Sequence, residues 1–140
     1  MPMNQTESPI ICLFAQGFNQ GNLAVVDELL CLDYFTHTAF GGASYGPSGL
    51  KWLIVMCRTA FPDLHCAVEG EIREGNGFAA HWTMHGTHTG LFMGNPPTGR
   101  QVEVQGMIFG RIENGHITED WTLIDQLGIL QQLGLVPPAR

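Results

Sequence analysis

The side chains best placed to do chemistry lie near the C-terminus, in the stretch RIENGHITEDWTLIDQLGILQQLG from Arg111 to Gly134. Asn114-Gly115 predicts a two-residue type I′ turn, which needs positive φ at both central positions. The turn would join a strand over 101–112 to another over 116–124. If Glu113 faces His116, then Gly110 faces Glu119, Ile108 faces Trp121, Gly106 faces Leu123 and Val104 faces Asp125. Opposed residues share a face of the sheet. One face would carry Val104, Gly106, Ile108, Trp121 and Leu123, an apolar wall with the Asp125 carboxylate at its end. Desolvation disfavours a charged carboxylate and lifts its pKa toward neutrality. That suits a group taking a proton from carbon beside a carbonyl and later returning one. Asp125 is the predicted acid/base on this ground. It also stands immediately before QLGILQQLG and fits as the N-cap of a terminal helix. Glu119 shares the Trp121 face, either as a second pocket carboxylate or as a residue satisfied at the mouth. Asp120 falls on the opposite face with Gln105, Met107, Phe109 and Thr122, and reads as a surface salt-bridging group.

Histidines come next. His37 follows a short extended segment, DYFTH, and is predicted at the cavity mouth as a hydrogen-bond donor to substrate or a proton relay, against a purely structural role. His81, His85 and His88 share one strand, but His81 and His85 fall on one face and His88 on the other. That parity breaks a three-histidine metal site on a regular strand, so no metal is expected. Only a bulge at Gly86 would restore one. Trp82 and Met84 share the His88 face, and that aromatic content suits a flat apolar ligand. Trp82, His88, Trp121, Glu119, Ile108 and Gly106 are therefore the predicted substrate-binding set on the sheet. Phe18 and Tyr45 are the predicted lining from the helices and loops above it.

The elements that must position these groups can be read in order. Residues 1–7 read as a flexible leader, and 8–140 as a single domain. Ser8-Pro9 is an N-cap followed by proline at the first helical position. Apolar Ile10, Leu13, Phe14, Gly17 and Phe18 then recur at helical spacing. Gly21-Asn22 breaks that helix, and 23–32 is predicted as a second. Residues 33–40 read as extended, and 41–47 as a loop. A third helix should start at Pro47-Ser48, reach Phe61 and stop at Pro62-Asp63. From Leu64 the period changes to strands over 64–73, 78–89, 101–112 and 116–124. Helices first and an antiparallel meander after give an α+β fold: three N-terminal helices on a curved sheet, with a cavity between them.

Composition narrows the partners. The 140 residues carry six Lys and Arg against thirteen Asp and Glu, a net charge of −7. Phosphate binding needs clustered cations, and no basic run exists, so no nucleic acid is expected. Only 14% of residues are charged while 44% are hydrophobic, which suggests a surface partly covered by a deep core or another subunit. Cys12, Cys31, Cys57 and Cys66 form no CxxC pair and read as free thiols. No signal peptide or membrane span is legible, and a cytoplasmic location is expected. No nucleophile elbow, Walker loop or GxGxxG word is present.

Four words carry a resemblance: DYFTH at 33–37, AFPDLH at 60–65, HWTMHGTHTGLFMGNPPTGR at 81–100, and the 111–134 stretch. Together they resemble the SnoaL-like polyketide cyclases of the nuclear transport factor 2-like superfamily. The resemblance implies a cone-shaped α+β barrel with a pocket under the helices, and a homodimer or homotetramer built through the outer sheet face. It implies intramolecular aldol closure of an aromatic polyketide ester, with no metal and no cofactor. It also implies an acid/base aspartate on the last strand, in or near 120–125; one alignment puts Thr122 at that position. An isomerase, a dehydratase or an epoxide-opening enzyme would use the same pocket. Two cooperating acids would favour epoxide opening, and one would favour enolisation. A non-catalytic module binding a small hydrophobic ligand is the reading from a different class.

Overall fold

The computed structural model describes residues 8–38 and 43–137, the side chains of 38 and 43–45 excepted. Helix α1 (Pro9–Cys12) begins where Ser8 Oγ accepts from the backbone N–H groups of Ile10 and Ile11. It runs without a break into a π-helical turn, Leu13–Phe18. Helix α2 (Ala24–Leu29) is shorter than expected. Leu30 already has extended backbone, because strand β1 (Leu30–Thr38) starts there with Leu30 buried and Leu32 left in solvent. Strand β2 (Ala43–Tyr45) occupies part of the expected loop. Gly41 and Gly42 lie outside the described residues, as does the expected leader, 1–7. Helix α3 (Pro47–Ala60) ends one residue before Phe61. Strands β3 (His65–Glu74), β4 (Gly77–Thr87), β5 (Gln101–Glu113) and β6 (His116–Ile124) follow, then helix α4 (Gln126–Gln132). No described helix is long and apolar enough to cross a membrane.

The strands form one six-stranded sheet in the order β2-β1-β6-β5-β4-β3. All neighbours are antiparallel except β1 and β6, which run parallel. This is the expected α+β architecture, three helices against the concave face of a curved, mostly antiparallel sheet. Strand β5 shows why the sheet has two distinct faces. Its residues alternate strictly between exposed and buried over all thirteen positions, because side chains point to opposite faces at period two. Val102, Val104, Ile108 and Ile112 point inward to the helices.

One local feature overturns the expected register. Asn114 and Gly115 do adopt positive φ, and Glu113 does face His116. Ile112 then faces Ile117, but Arg111 faces Glu119, so Thr118 is the extra residue of a β-bulge. A bulge moves every later side chain to the other face. Beyond it Gly110 faces Asp120, Phe109 faces Trp121, Ile108 faces Thr122 and Gly106 faces Ile124. Asp120 and Thr122 therefore point inward, while Glu119, Trp121 and Leu123 point out. Gly110 makes this possible: a side chain there would run into the Glu119 carbonyl and the Asp120 backbone.

Candidate active site

A cavity of about 270 Å³ lies between the concave face and the helices. Its polar end is built by two strands. Asp120 from β6 is 2% exposed and lines the cavity with Tyr34 and Thr36 from β1 and Thr122 from β6. The Tyr34 hydroxyl donates to Asp120 Oδ2 at 2.5 Å, and Thr36 Oγ1 donates to Oδ1 at 2.5 Å. Thr122 Oγ1 is a more distant donor, 3.5 Å from Oδ1. The parallel pairing accounts for this constellation. Thr36 lies beside Asp120 in register, and Tyr34, two residues earlier, emerges on the same face.

Burial pushes the Asp120 carboxyl above its ordinary range, since the ionised form loses water. The three hydroxyls and the nearby His37 act against that rise by favouring the ionised form. Tyr34 is driven far above its ordinary range by burial and by the Asp120 charge, so it stays a hydroxyl donor at every working pH. No lysine or arginine pairs with Asp120 among the described residues. A carboxylate held by neutral donors in an apolar chamber keeps the capacity both to take and to give a proton.

The rest of the chamber is apolar and aromatic. Phe14 stacks on Phe18 with centroids 5.3 Å apart, and Phe14 meets Trp82 at 5.5 Å. The π-helical turn places both phenylalanines on this wall, and a built clamp fixes its end. Asn19 Nδ2 donates to the Cys66 carbonyl at 2.8 Å, and the Cys66 N–H donates back to Asn19 Oδ1 at 2.6 Å. Arg58 Nη1 donates to the carbonyls of Phe18 and Asn19, each at 2.9 Å. Cys57 and Cys66 also line the cavity, and burial raises both thiols to about 12, so they sit there as small apolar groups. Trp52 from α3 lines the cavity yet is 58% exposed, which marks one side of the opening.

The sequence-predicted residues divide between the two faces. Phe18, Trp82 and Ile108 line the cavity. Gly106 lies on the same face with the Trp82 indole packed across it. His88 is fully buried on that side, but it packs behind Phe61 and Phe92, which line the cavity in its stead. Its Nδ1 accepts from the Thr98 N–H at 3.2 Å. The expected parity holds: His81 bonds Gln105 on the outer face, and His85 stands 3.9 Å from Glu103 there.

Five placements are corrected. Asp125 does not line the cavity; it is the N-cap of α4, where Oδ1 accepts from the Gly128 N–H at 2.9 Å. Trp121 and Glu119 are on the outer face because of the Thr118 bulge. His37 is there too, stacked on Trp121 at 4.6 Å and bonded to Glu119 at 3.0 Å. Asp120, expected on the surface, is the buried carboxylate. The side chain of Tyr45 lies outside the described residues. Tyr34 and Thr36 were missed, and Asp120 and Thr122 were put on the outer face, although the resemblance implied an aspartate in or near 120–125. The hydroxyls of Tyr34 and Thr36, two apart on one strand, were the available signal.

The family model for the SnoaL-like polyketide cyclases matches residues 10–133. The chain is 28% identical over 134 residues to aklanonic acid methyl ester cyclase DnrD of Streptomyces peucetius, covering 92% of this chain and 91% of that protein. Among solved structures it is similar to IdmH of Streptomyces antibioticus, a candidate polyketide cyclase. There the TM-score is 0.79 with 30% identity, over 90% of this chain and 96% of that one. It is also similar to AclR of Streptomyces galilaeus, a candidate hydroxylase. That match has a TM-score of 0.79 and 26% identity, over 94% of this chain and 83% of that one. On the extent of these matches, the chain belongs to the SnoaL-like polyketide cyclase family.

Proposed function

We propose that this protein closes a ring in an aromatic polyketide ester by intramolecular aldol condensation, with Asp120 as the acid/base. The observation that carries this reading is the Asp120 carboxyl, buried in the wall of an apolar chamber and held by two neutral hydroxyls. Ionised Asp120 takes a proton from the carbon between two carbonyls of the bound ester. The carbanion left behind attacks a second carbonyl of the same molecule and forms the new carbon–carbon bond. Protonated Asp120 then gives its proton to the alkoxide, and the carboxylate is restored. No atom is gained or lost, so one carboxyl suffices for both transfers. Tyr34 and Thr36 fix the carboxyl's orientation. The Phe14, Phe18 and Trp82 rings suit a flat conjugated substrate. Asp120 is the single acid lining the chamber among the described residues, which favours enolisation over epoxide opening, a reaction that calls for two.

The outer sheet face supports a homo-oligomer. Met107, Phe109 and Leu123 are all more than half exposed there, beside the Trp121–His37 stack. A contiguous apolar patch of this kind marks a contact surface. Location in the cytoplasm accords with four free cysteines, which stay reduced there.

The test is conversion of aklanonic acid methyl ester, followed by chromatography and mass spectrometry. Ring closure yields a product of unchanged mass and altered retention. Asp120→Asn should slow it by about 10²–10⁴-fold, the usual worth of a positioned acid/base. Undiminished closure by that variant would end the assignment. A product heavier by one oxygen would move the reading to hydroxylation, the activity attached to AclR.

A further inference from the structure

We propose that Thr122 is a second catalytic residue, whose hydroxyl donates a hydrogen bond to the carbonyl oxygen that becomes an enolate when Asp120 takes the neighbouring proton. The inference rests on the acid/base reading of Asp120 and adds the donor that stabilises the charge which that step creates.

Three observations carry it. Thr122 pairs with Ile108 on the inner face, and both line the cavity. Thr122 is half-buried, whereas Tyr34 and Thr36 are buried, so among these hydroxyl-bearing residues it is the one most open to a ligand.

The second observation is what each hydroxyl is bonded to. A hydroxyl has one proton to donate. Those of Tyr34 and Thr36 are committed to the two Asp120 oxygens, each at 2.5 Å. Thr122 Oγ1 stands 3.5 Å from Asp120 Oδ1, and this is its one hydrogen bond among the described residues. A full O–H···O bond is about 2.8 Å long, so the Thr122 proton is held loosely and is free to turn to a better acceptor.

The third is spacing. A carboxylate oxygen taking a proton from carbon approaches it to about 3 Å. The oxygen of the adjacent carbonyl is about 2.4 Å from that carbon, and a hydroxyl bonds it from about 2.8 Å. These three spans close on the 3.5 Å between Asp120 Oδ1 and Thr122 Oγ1. As the C–H bond breaks, the proton goes to Asp120 and the electron pair moves into the carbonyl, so negative charge gathers on its oxygen. Asp120 loses its charge in the same step and releases its hold on the Thr122 hydroxyl. That hydroxyl turns to the new anion and keeps its own proton. A fixed donor in an apolar chamber is worth most where charge develops, so the contact acts on kcat more than on KM.

The experiment measures kcat and KM for closure of aklanonic acid methyl ester across pH in Thr122→Val and Thr122→Ser. Thr122→Val removes the hydroxyl at nearly the same shape. It should lower kcat about 10²-fold, the worth of one oxyanion donor, with KM changed by less than about twofold. The rate should not return at alkaline pH, where Asp120 is already ionised. Thr122→Ser keeps the hydroxyl and should recover most of the rate. Recovery of Thr122→Val at alkaline pH would show the hydroxyl acting only through Asp120 and would overturn the proposal. So would an undiminished kcat in Thr122→Val, or a serine variant as slow as the valine. The two readings fail distinguishably. An undiminished kcat in Thr122→Val with closure lost in Asp120→Asn ends the Thr122 role alone. Closure undiminished in Asp120→Asn, or absent from the wild-type protein, removes both.

Discussion

The Tyr34 hydroxyl reaches from β1 to the Asp120 carboxyl on β6 across 2.5 Å, joining the parallel pair of the sheet inside the cavity. Its effect on Asp120 has a defined sign, because a donor to the ionised carboxylate lowers its pKa. Tyr34→Phe removes that donor and leaves burial in place, so the carboxyl should rise further. The acid limb of kcat/KM, which reports the base of the free enzyme, should shift to higher pH. Much of the lost rate should return at alkaline pH. A pH–rate profile of the variant checks this; a profile scaled down without a shift would assign Tyr34 to packing alone.

Asp120 also links stability to pH. Its folded-state pKa is raised above 3.8 by burial. A carboxyl raised in this way contributes stability that is fully present below the unfolded value and is lost as pH rises through the folded value. The ionised form is therefore a strain on the fold at neutral pH. Asp120→Asn removes the charge, and the Tyr34 and Thr36 hydroxyls can reorient toward the amide. The variant should melt at a higher temperature than wild type near pH 8, with the gap closing below about pH 4. Scanning calorimetry across that range decides it, and a variant destabilised at pH 8 would contradict it.

Much of the architecture was legible because its signals are local. Ser8-Pro9, Pro47 and Asn114-Gly115 each act within a few residues, and each sets the boundary expected of it. The alternation on β4 likewise put Trp82 and Met84 on one face and His81 and His85 on the other, and the structure turns the first of these faces inward. The inward direction of Asp120 was not legible, for two physical reasons. The Thr118 bulge adds one residue without any mark in composition. Both faces of β6 also carry apolar side chains, so hydrophobicity could not report the slip. Trp121 and Leu123 looked like core, yet they belong to an outer face with its own apolar patch. Tyr34 and Thr36 lie some 85 positions from Asp120, and only the parallel β1–β6 pairing brings them together.

Gly110 should be sensitive to any added side chain. The absent side chain makes room for the Glu119 carbonyl and the Asp120 Cα. Gly110→Ala must push β6 away at the bulge and draw Asp120 from Tyr34 and Thr36. Turnover should fall by about tenfold or more, on the rule that small misplacement of a positioned group is expensive. Circular dichroism should stay near wild type. Full activity in Gly110→Ala would show that the bulge tolerates movement.

The outer face offers a test of assembly. Phe109 packs against Trp121 at 5.2 Å, and Phe109 and Leu123 present their surfaces to solvent. A Phe109→Glu/Leu123→Glu protein places charges in the middle of that patch and should sediment as a monomer where wild type sediments as a dimer or larger. A monomeric wild type would remove the proposed interface.

Asp125 separates capping from catalysis. Its carboxylate accepts from the Gly128 N–H and satisfies one of the unpaired donors that begin α4. Helix α4 delivers Ile129 to the cavity wall, so the cap acts on the site only through the helix it starts. Asp125→Ala should cost about 1 kcal/mol, the ordinary worth of an N-cap. Asp125→Ser should recover most of that, because a serine hydroxyl accepts the same N–H. Neither should shift the pH–rate profile, since no proton passes through residue 125. Chemical denaturation and kinetics on the two variants measure both effects. A profile that loses its acid limb in Asp125→Ser, with stability intact, would return the acid/base role to Asp125 and take it from Asp120.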